Sequence, residues 1–389
     1  MNNPEHERPM RPPLRIALVH SFYSSRNPSG ENSAVMQQAE AMRRAGYIVE
    51  VFGQRTDERE LSRLYPLEAA LTVATGRGPK PDMREFEPDL IHIHNLFPNY
   101  GKSWIQSSPV PVVTSIHNYR PLCAAGTFYR DGRVCTDCSD GGSSVPALMH
   151  GCYRGRAQTV PVAIGQRFGA DAGLRHSDAV IVLSDQMRAM YAQSGLPWGK
   201  MHTIPNFLPK SLDSGVGAGE GRFWLYAGRL SEEKGILELL RRWPAESKLV
   251  LVGSGELEPQ VRALANENVS ILGPVDRTRL MALMRDATGV VFPSRCFEGF
   301  PLIYPEALSA GTPILTWAPN VVSTLVRAEG TGLVGGSEDM EDLVRVAGDL
   351  FPTLRSHCRS IYDSKYSEEK WLLTIDAVYR SVLQISNIA

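Results

Sequence analysis

Short runs of apolar and β-branched residues recur along the chain, and longer segments with helical periodicity separate them. The runs lie at 14–20, 47–53, 90–95, 111–118 and 179–184, and again at 223–228, 248–253, 289–294 and 312–317. Most of them are apolar nearly throughout instead of alternating, which is typical of parallel strands that helices cover on both faces. Alternation of such strands with helices predicts an α/β, doubly wound fold.

The chain has 389 residues, more than a single hydrophobic core usually organises, so two domains are expected. Residues 208–222 are rich in glycine and serine and predict a linker. We therefore expect two Rossmann-like domains that face each other across a cleft, at 14–207 and 223–365. Residues 1–13 are expected to be a disordered leader. Residues 366–389 predict a C-terminal helix that packs on the body and can cross back to the N-terminal domain.

Charge and composition exclude several classes of protein. A net charge of −1 disfavours a general nucleic-acid binder, which would be strongly basic. No stretch approaches the roughly 18 apolar residues of a membrane-spanning helix. Six cysteines in so long a chain do not predict a disulfide scaffold, and the N-terminus lacks the apolar core of a secretion signal. We therefore expect a cytoplasmic protein.

The segment GRLSEEKG at 228–235 directly follows a predicted strand. It places Arg229 and Lys234 beside a predicted helix start, where free backbone N–H groups and the helix dipole add to the two side-chain charges. This arrangement predicts an anion-binding site. The alternative is two solvated basic side chains on a surface turn.

The segment FEGFPLIYPE places Glu298 and Glu306 eight positions apart. Paired carboxylates could be the acid and base of a glycosidase, but such groups face one glycosidic bond, usually from different elements. Here residues 294–299 predict a loop and residues 300–310 a helix, so both glutamates would lie along one loop–helix unit. That arrangement suits one elongated ligand. Glu306 could instead be a carboxylate that the helix dipole favours.

The segments GRLSEEKG and FPSRCFEGFPLIYPEALSAGTPIL together resemble the retaining glycosyltransferases of family 4, which have the GT-B fold. The likeness covers nearly the whole chain. It implies that Arg229 and Lys234 contact the diphosphate of a donor and act in catalysis. It also implies that Glu298 lies at the donor sugar, as a further catalytic residue, and that Glu306 binds the ribose hydroxyls.

The resemblance further implies that donor phosphate binds backbone N–H groups around Gly299, Phe300 and Leu302. No Asp-x-Asp motif stands at a strand end, so we expect catalysis without a metal or other cofactor. The implied reaction moves a sugar from a nucleotide-diphosphate sugar to an acceptor hydroxyl, with retention, in cell-surface polysaccharide or glycolipid assembly. The alternatives are a sugar phosphorylase, a nucleotide-sugar hydrolase or epimerase on the same fold, and a non-catalytic sugar-nucleotide-binding subunit.

Two positions of the first half carry further expectations. His117 ends the run 111–118, and the resemblance implies that it contacts the donor sugar near the reacting centre. The other strand histidines, His92 and His94, are expected to be structural. Gly30 precedes a predicted helix and permits close approach of a ligand to the backbone, so it is expected to bind the donor.

A cysteine-rich loop at 119–155 has the spacing C-x11-C-x2-C-x13-C. The short C-x2-C knuckle is typical of structural zinc sites, and four thiolates would bind the ion tetrahedrally. We therefore expect a zinc-stapled loop near the acceptor pocket. The alternative is a set of unliganded loop thiols. The predicted ligands are Cys123, Cys135, Cys138 and Cys152.

The segment 145–176 mixes apolar residues with arginines and contains one acidic residue, Asp171. It could lie on a membrane surface and reach a lipid-linked acceptor, which would make the protein peripheral at the inner face of the membrane. The alternative is a solvated basic face. The expected partners are therefore a nucleotide-sugar donor and a carbohydrate or lipid-linked acceptor, and not nucleic acid.

Overall fold

The computed structural model describes residues 13–24, 30–167, 171–213, 215–220 and 222–386. The predicted leader at 1–13 lies outside the described residues except for Pro13.

The strands of the first half form a parallel sheet and a small antiparallel hairpin within the described residues. The sheet has six strands in the order β2-β1-β3-β4-β7-β8, and β5 pairs with β6 in the hairpin. The strands are β1 (Arg15–Phe22), β2 (Ile48–Arg55), β3 (Leu90–Asn95), β4 (Val112–Ile116), β5 (Tyr129–Arg130), β6 (Arg133–Val134), β7 (Ala179–Val182) and β8 (Met201–Thr203).

The described residues of the second half form another six-stranded parallel sheet, in the order β11-β10-β9-β12-β13-β14. Its strands are β9 (Trp224–Ala227), β10 (Leu249–Val252), β11 (Val269–Gly273), β12 (Gly289–Phe292), β13 (Ile314–Trp317) and β14 (Gly332–Gly335). The two doubly wound sheets agree with the α/β prediction. The sequence missed β8, β11 and β14, which are edge strands of three to five residues with weaker apolar patterning.

Helices cover both sheets. In the first half these are α1 (Gly30–Arg44), α2 (Thr56–Arg59), α3 (Tyr65–Thr75), α4 (Asp137–Asp140), α5 (Val145–His150), α6 (Arg156–Gly165), α7 (Ala172–Arg175) and α8 (Asp185–Gln193). In the second half they are α9 (Ile236–Arg242), α10 (Glu258–Leu264), α11 (Arg277–Asp286), α12 (Ile303–Ser309), α13 (Val321–Glu329), α14 (Met340–Lys365) and α15 (Glu368–Ser386). Among the described residues, none of these helices has the length and hydrophobicity needed to cross a membrane.

The last two helices pack on different sheets. Val344 and Phe351 of α14 join the core of the second sheet, whereas Ile375 and Tyr379 of α15 join the core of the first. Arg44 on α1 donates two hydrogen bonds of 2.8 Å to the carboxylate of Glu368, at the start of α15. The chain therefore crosses back to the first half after α14.

The strand order places a ligand crevice in the second half. The chain runs outward from β9 through β10 to β11 in one direction, and from β9 through β12 to β14 in the other. Doubly wound sheets bind ligands where this direction reverses, beyond the carboxyl ends of the strands. In this sheet that point lies between β9 and β12, so the loops that follow these two strands should form the site.

Candidate active site

A cleft of about 1740 Å³ lies between the two halves, and both contribute to its walls. It exceeds the volume of roughly 300–1,000 Å³ typical of a site for one small ligand, so it has room for a large ligand or for two. The cleft is lined by all of the predicted donor and catalytic residues, namely Gly30, His117, Arg229, Lys234, Glu298, Gly299, Phe300, Leu302 and Glu306.

A partly buried ion pair lies at the predicted switch point. Lys234, six residues after the β9–loop junction at Gly228, donates from Nζ to Glu298 Oε2 at 2.7 Å. Ser294, two residues after the end of β12, donates to the other oxygen of Glu298 at 2.7 Å. Burial acts to lower the pKa of Lys234, but the Glu298 charge and hydrogen bond raise it overall. Lys234 therefore stays charged and fixed in position.

Arg229 lies in the same loop but is far more exposed than Lys234. Its side chain is 62% exposed, and one guanidinium nitrogen lies 3.4 Å from Glu233 Oε1. Tyr226, on β9, donates its hydroxyl to the Arg229 carbonyl at 2.6 Å and so holds the backbone of the loop. The side chain thus remains available to an anion in the cleft.

Glu306 is almost fully buried on α12, and it forms an ion pair with Arg277, at the start of α11. Burial raises the pKa of Glu306, whereas the Arg277 charge opposes that rise. Arg277 also lines the cleft. Arg277 could not be predicted from the sequence, because it becomes a neighbour of Glu306 only when α11 and α12 pack together.

The predicted helix at 300–310 begins later than expected. Helix α12 starts at Ile303, and the segment before it is a loop. The carbonyl of Phe300 accepts a hydrogen bond from the Asn206 amide at 3.2 Å, while the Tyr304 N–H bonds to Pro301 instead. A contact with the first half thus replaces the first helical hydrogen bond.

The loop before α12 keeps several backbone donors available. Over the described part of the chain, the N–H groups of Gly299, Phe300 and Leu302 donate to no other protein group. All three residues line the cleft. Such N–H groups suit phosphate oxygens, and the binding of donor phosphate here, which the resemblance implies, stays a prediction.

The two halves meet at Gly299 and His117. A Cβ atom on Gly299 would lie 2.7 Å from the His117 carbonyl oxygen and 2.8 Å from Met187 Cε. Only glycine therefore permits this approach without a backbone shift. The contact brings the Glu298 loop against the end of β4.

His117 belongs to a row of histidines on neighbouring strands. Its Nε2 lies 2.9 Å from Nδ1 of His94, and the rings of His94 and His92 are 4.2 Å apart. Burial lowers the pKa of His117 to about 3 and that of His94 well below its usual value, so both imidazoles are neutral. Because only one proton can lie between these two nitrogens, the tautomer of one ring determines the tautomer of the other.

His92 is fully engaged in the core, since Nδ1 lies 2.6 Å from the Tyr379 hydroxyl and Nε2 lies 2.8 Å from Ser115 Oγ. These contacts agree with its interpretation as structural. His94 was interpreted in the same way, but it directly contacts His117. Alternation along β3 puts His92 and His94 on one face of the strand, but nothing in the sequence pairs His94 with His117.

Gly30 is the first residue of α1, and a Cβ atom there would lie 3.6 Å from Leu302 Cδ1. That is an ordinary van der Waals distance, so the fold does not exclude a side chain at this position. Glu31, the next residue, also lines the cleft and was missed by the sequence analysis.

The cysteine-rich loop at 119–155 reaches the second half. The Phe297 N–H donates to the Thr127 carbonyl at 3.1 Å, and the Tyr129 hydroxyl lies 3.3 Å from Glu232 Oε1. Burial, with smaller contributions from the thiols of Cys123, Cys152 and Cys135, raises the pKa of Cys138 to about 11. Among the described residues, however, no three His, Cys, Asp or Glu side chains are grouped so that they could hold a metal ion. Zinc binding stays a prediction.

Two family models match consecutive parts of the chain. The model described as Glycosyltransferase Family 4 matches residues 28–211, and the model described as Glycosyl transferases group 1 matches residues 213–351. The boundary between the matches falls within the predicted linker.

Curated relatives match parts of the chain. An uncharacterized glycosyltransferase of Methanocaldococcus jannaschii is 32% identical over 119 residues, which cover 28% of this chain and only 30% of that protein. A phosphatidyl-myo-inositol mannosyltransferase of Mycolicibacterium smegmatis is 26% identical over 327 residues, covering 78% of this chain and 75% of that protein.

Solved structures share the whole fold. Sucrose-phosphate synthase from Thermosynechococcus elongatus superposes with a TM-score of 0.68 at 19% identity, covering 96% of this chain and 100% of that chain. The Anabaena protein HepE in complex with UDP-glucose superposes with a TM-score of 0.60 at 17% identity, covering 95% and 100%. These likenesses confirm the predicted GT-B fold.

Proposed function

Because the chain belongs to the glycosyltransferases of family 4 and group 1, we propose that it transfers a sugar from a nucleotide-diphosphate sugar to an acceptor hydroxyl, with retention of anomeric configuration. The main observation that supports this proposal is the Lys234–Glu298 ion pair between the ends of β9 and β12. It puts a fixed cation and a carboxylate at the point of a doubly wound sheet where a nucleotide is expected.

The donor lies along the second half. Lys234, Arg229 and the free backbone N–H groups before α12 hold the diphosphate and stabilise the charge that develops as it leaves. Glu298 holds the donor sugar, and Glu306, at the far end of the same loop–helix unit, binds the ribose hydroxyls. The UDP-glucose bound to HepE supports a uridine nucleotide as the first donor to test.

The acceptor binds to the first half, and His117 contacts the transferred sugar from that side. The bond from the anomeric carbon to the diphosphate breaks, and a bond to the acceptor oxygen forms on the same face. The proton of the acceptor hydroxyl passes to the departing diphosphate oxygen, so no carboxylate nucleophile and no metal is required. The neutral state of His117 suits a hydrogen-bonding role instead of charge stabilisation.

The reaction is tested by the release of nucleotide diphosphate from UDP-glucose and other nucleotide sugars, with and without bacterial lipid extract or cell-surface polysaccharide. A transferase releases nucleotide diphosphate at an appreciable rate only with acceptor. Release without acceptor would indicate a hydrolase, and donor binding without any turnover would indicate a non-catalytic subunit. Proton NMR of the product checks that the anomeric configuration is retained.

The acceptor is proposed to be a cell-surface polysaccharide or a glycolipid, and an apolar surface of the first half supports the lipid. About half of the exposed large hydrophobic side chains in the described residues lie on or beside α3, α5 and α6. We call them the apolar surface, namely Leu61, Leu64, Leu67, Leu71, Val145, Met149, Val160 and Ile164. Helices α3 and α6 pack closely, since a Cβ atom on Gly165 would lie 2.1 Å from the Val73 carbonyl oxygen.

Charge and position favour an anionic membrane as the partner of the apolar surface. The exposed arginines Arg154, Arg156 and Arg167 accompany it, and no acidic residue occurs between Asp140 and Asp171. Other residues of α3 and α6 line the acceptor half of the cleft. A membrane bound here would therefore present a lipid-linked acceptor to the cleft.

Replacing Leu67 and Leu71 together by glutamate is expected to weaken binding to phosphatidylglycerol-containing vesicles by at least about tenfold, because each buried leucine contributes about 1.5–3 kcal/mol. Flotation or sedimentation of the protein with vesicles measures the change. The control is Leu373→Glu, because Leu373 on α15 is 71% exposed and lies outside these helices. Failure of the wild-type protein to bind, or an equal loss in the control, would contradict the membrane proposal.

We also propose that the cysteine-rich loop binds structural zinc, which would draw its four thiols together and fix its contacts with the second half. Protein purified without chelator is expected to contain stoichiometric zinc by elemental analysis. Cys135→Ser should lose that zinc, whereas Cys358→Ser, which alters a buried thiol on α14, should keep it. Zinc-free wild-type protein would refute this assignment and favour unliganded thiols.

A further inference from the structure

A cluster of polar side chains forms one wall of the cleft in the first half. Tyr23 follows β1, Glu31 lies in the first turn of α1, and Asn118 and Arg120 follow β4, and all four line the cleft. The Asn118 amide nitrogen donates to Glu31 Oε2 at 3.1 Å and lies 3.5 Å from the Tyr23 hydroxyl.

Arg120 holds the cluster in place. Its backbone N–H donates to Asn118 Oδ1 at 2.9 Å, which orients the amide so that its nitrogen faces Glu31 and Tyr23. Its guanidinium donates to the Ala124 carbonyl at 2.8 Å and lies 4.5 Å from the centre of the Phe97 ring. These contacts largely engage the cation, so the cluster is pre-organised before any ligand binds.

The cluster lies beside the meeting point of the two halves. Gly30, immediately before Glu31, faces Leu302, and His117, immediately before Asn118, packs its carbonyl against Gly299. The donor loop at 297–302 therefore ends against the same two segments that carry the cluster. A group bound to the cluster would lie next to a sugar held by Glu298.

We propose that Glu31, Asn118 and Tyr23 form an acceptor subsite for a neutral polyhydroxylated ring, in which the Glu31 carboxylate accepts a hydrogen bond from an acceptor hydroxyl. The inference rests on the proposed transferase function and deepens it. A carboxylate accepts from hydroxyl groups, while the amide and the phenol can donate to a neighbouring hydroxyl, so together they suit adjacent hydroxyls of a sugar or cyclitol. An anionic group here would be repelled by Glu31.

Binding of an acceptor hydroxyl at this subsite should depend on pH. Burial raises the pKa of Glu31 to about 7, although the Asn118 hydrogen bond and the Arg120 charge oppose the rise. Burial and the Glu31 charge raise the pKa of Tyr23, and burial lowers that of His20, which contacts the adjacent Asn32, to about 4. Below about pH 7 the Glu31 carboxyl therefore becomes protonated and loses its charge-assisted hydrogen bond.

The test measures binding of neutral polyols to the protein saturated with UDP, by saturation-transfer NMR. The probes are myo-inositol and the methyl α-glycosides of glucose, mannose and galactose. Glu31→Gln is expected to weaken the binding of the preferred polyol about tenfold or more, since a hydrogen bond to a charged group is lost. UDP affinity should stay unchanged and reports that the variant is folded. Glu40→Gln, which alters an exposed carboxylate on the same helix, is the matched control.

A second measurement needs no variant. Polyol affinity of the wild-type protein should fall as the pH drops below about 7, whereas the polyols themselves do not titrate. Equal polyol affinity in Glu31→Gln and wild type, a flat pH profile, or no binding of any neutral polyol would overturn the inference. If UDP binds in these cases, only the acceptor subsite is refuted. If no nucleotide or nucleotide sugar binds the wild-type protein, the proposed function itself fails.

Discussion

Replacing Lys234 with alanine is expected to lower kcat/KM for the nucleotide sugar by about 100- to 1,000-fold, as loss of a pre-organised charge-stabilising group does in other enzymes. Lys234 is held 2.7 Å from Glu298 in a partly buried ion pair, so its charge is positioned before the donor binds. Arg229 cannot compensate for it, because the arginine side chain is 62% exposed. Steady-state kinetics with varied donor measures the loss.

The control for this prediction is Lys248→Ala, which removes an exposed lysine on another loop of the same half. It should leave kcat/KM unchanged. Wild-type rates in Lys234→Ala would show that the diphosphate does not bind at this ion pair. The assay is run well below the melting temperature of Lys234→Ala. A lower kcat in this variant then cannot be explained by unfolding.

Glu298→Gln is expected to lower kcat about 100-fold while donor affinity changes much less, because the carboxylate acts at the sugar and the diphosphate contacts remain. Glutamine keeps the size of the side chain and can still accept from Ser294 Oγ, but it no longer neutralises Lys234. Single-turnover rates and donor titration separate the two effects. Glu267→Gln, at an exposed position, serves as the control.

The Glu298 and Lys234 substitutions should not be additive. Residues in direct contact couple, so the double variant should be much less impaired than the product of the two single effects predicts. Independent effects would indicate that the two side chains act on separate steps. Full activity in Glu298→Gln would instead favour the non-catalytic sugar-binding subunit.

The fold could be predicted largely from buried parallel strands. Runs such as those at 14–20 and 248–253 are apolar on both faces because helices cover both sides of each sheet. Edge strands such as β14 were missed because only one neighbour and partial burial constrain their sequence. The late start of α12 could not be foreseen either, because it follows from a hydrogen bond to Asn206, nearly a hundred positions away.

Local sequence motifs predicted more of the residues on the donor side of the cleft than on the acceptor side. Lys234 and Glu298 occur in segments whose spacing after a strand is itself informative. Glu31, His94 and Arg277 carry no such signal, because their partners lie on other elements and meet them only through packing. Glu31 in particular resembles any acidic residue in the first turn of a helix until its burial in the cleft is known.

The central claim is that the loops after β9 and β12 bind the diphosphate of a nucleotide sugar. Thermal unfolding with a panel of UDP, GDP and dTDP sugars tests it most directly, because a ligand at 100 times its Kd stabilises the native state by about 2.7 kcal/mol. We expect at least one nucleotide sugar to raise the melting temperature of the wild-type protein by several degrees, but not that of Lys234→Ala. No shift with any member of the panel, or an equal shift in the variant, would contradict the account.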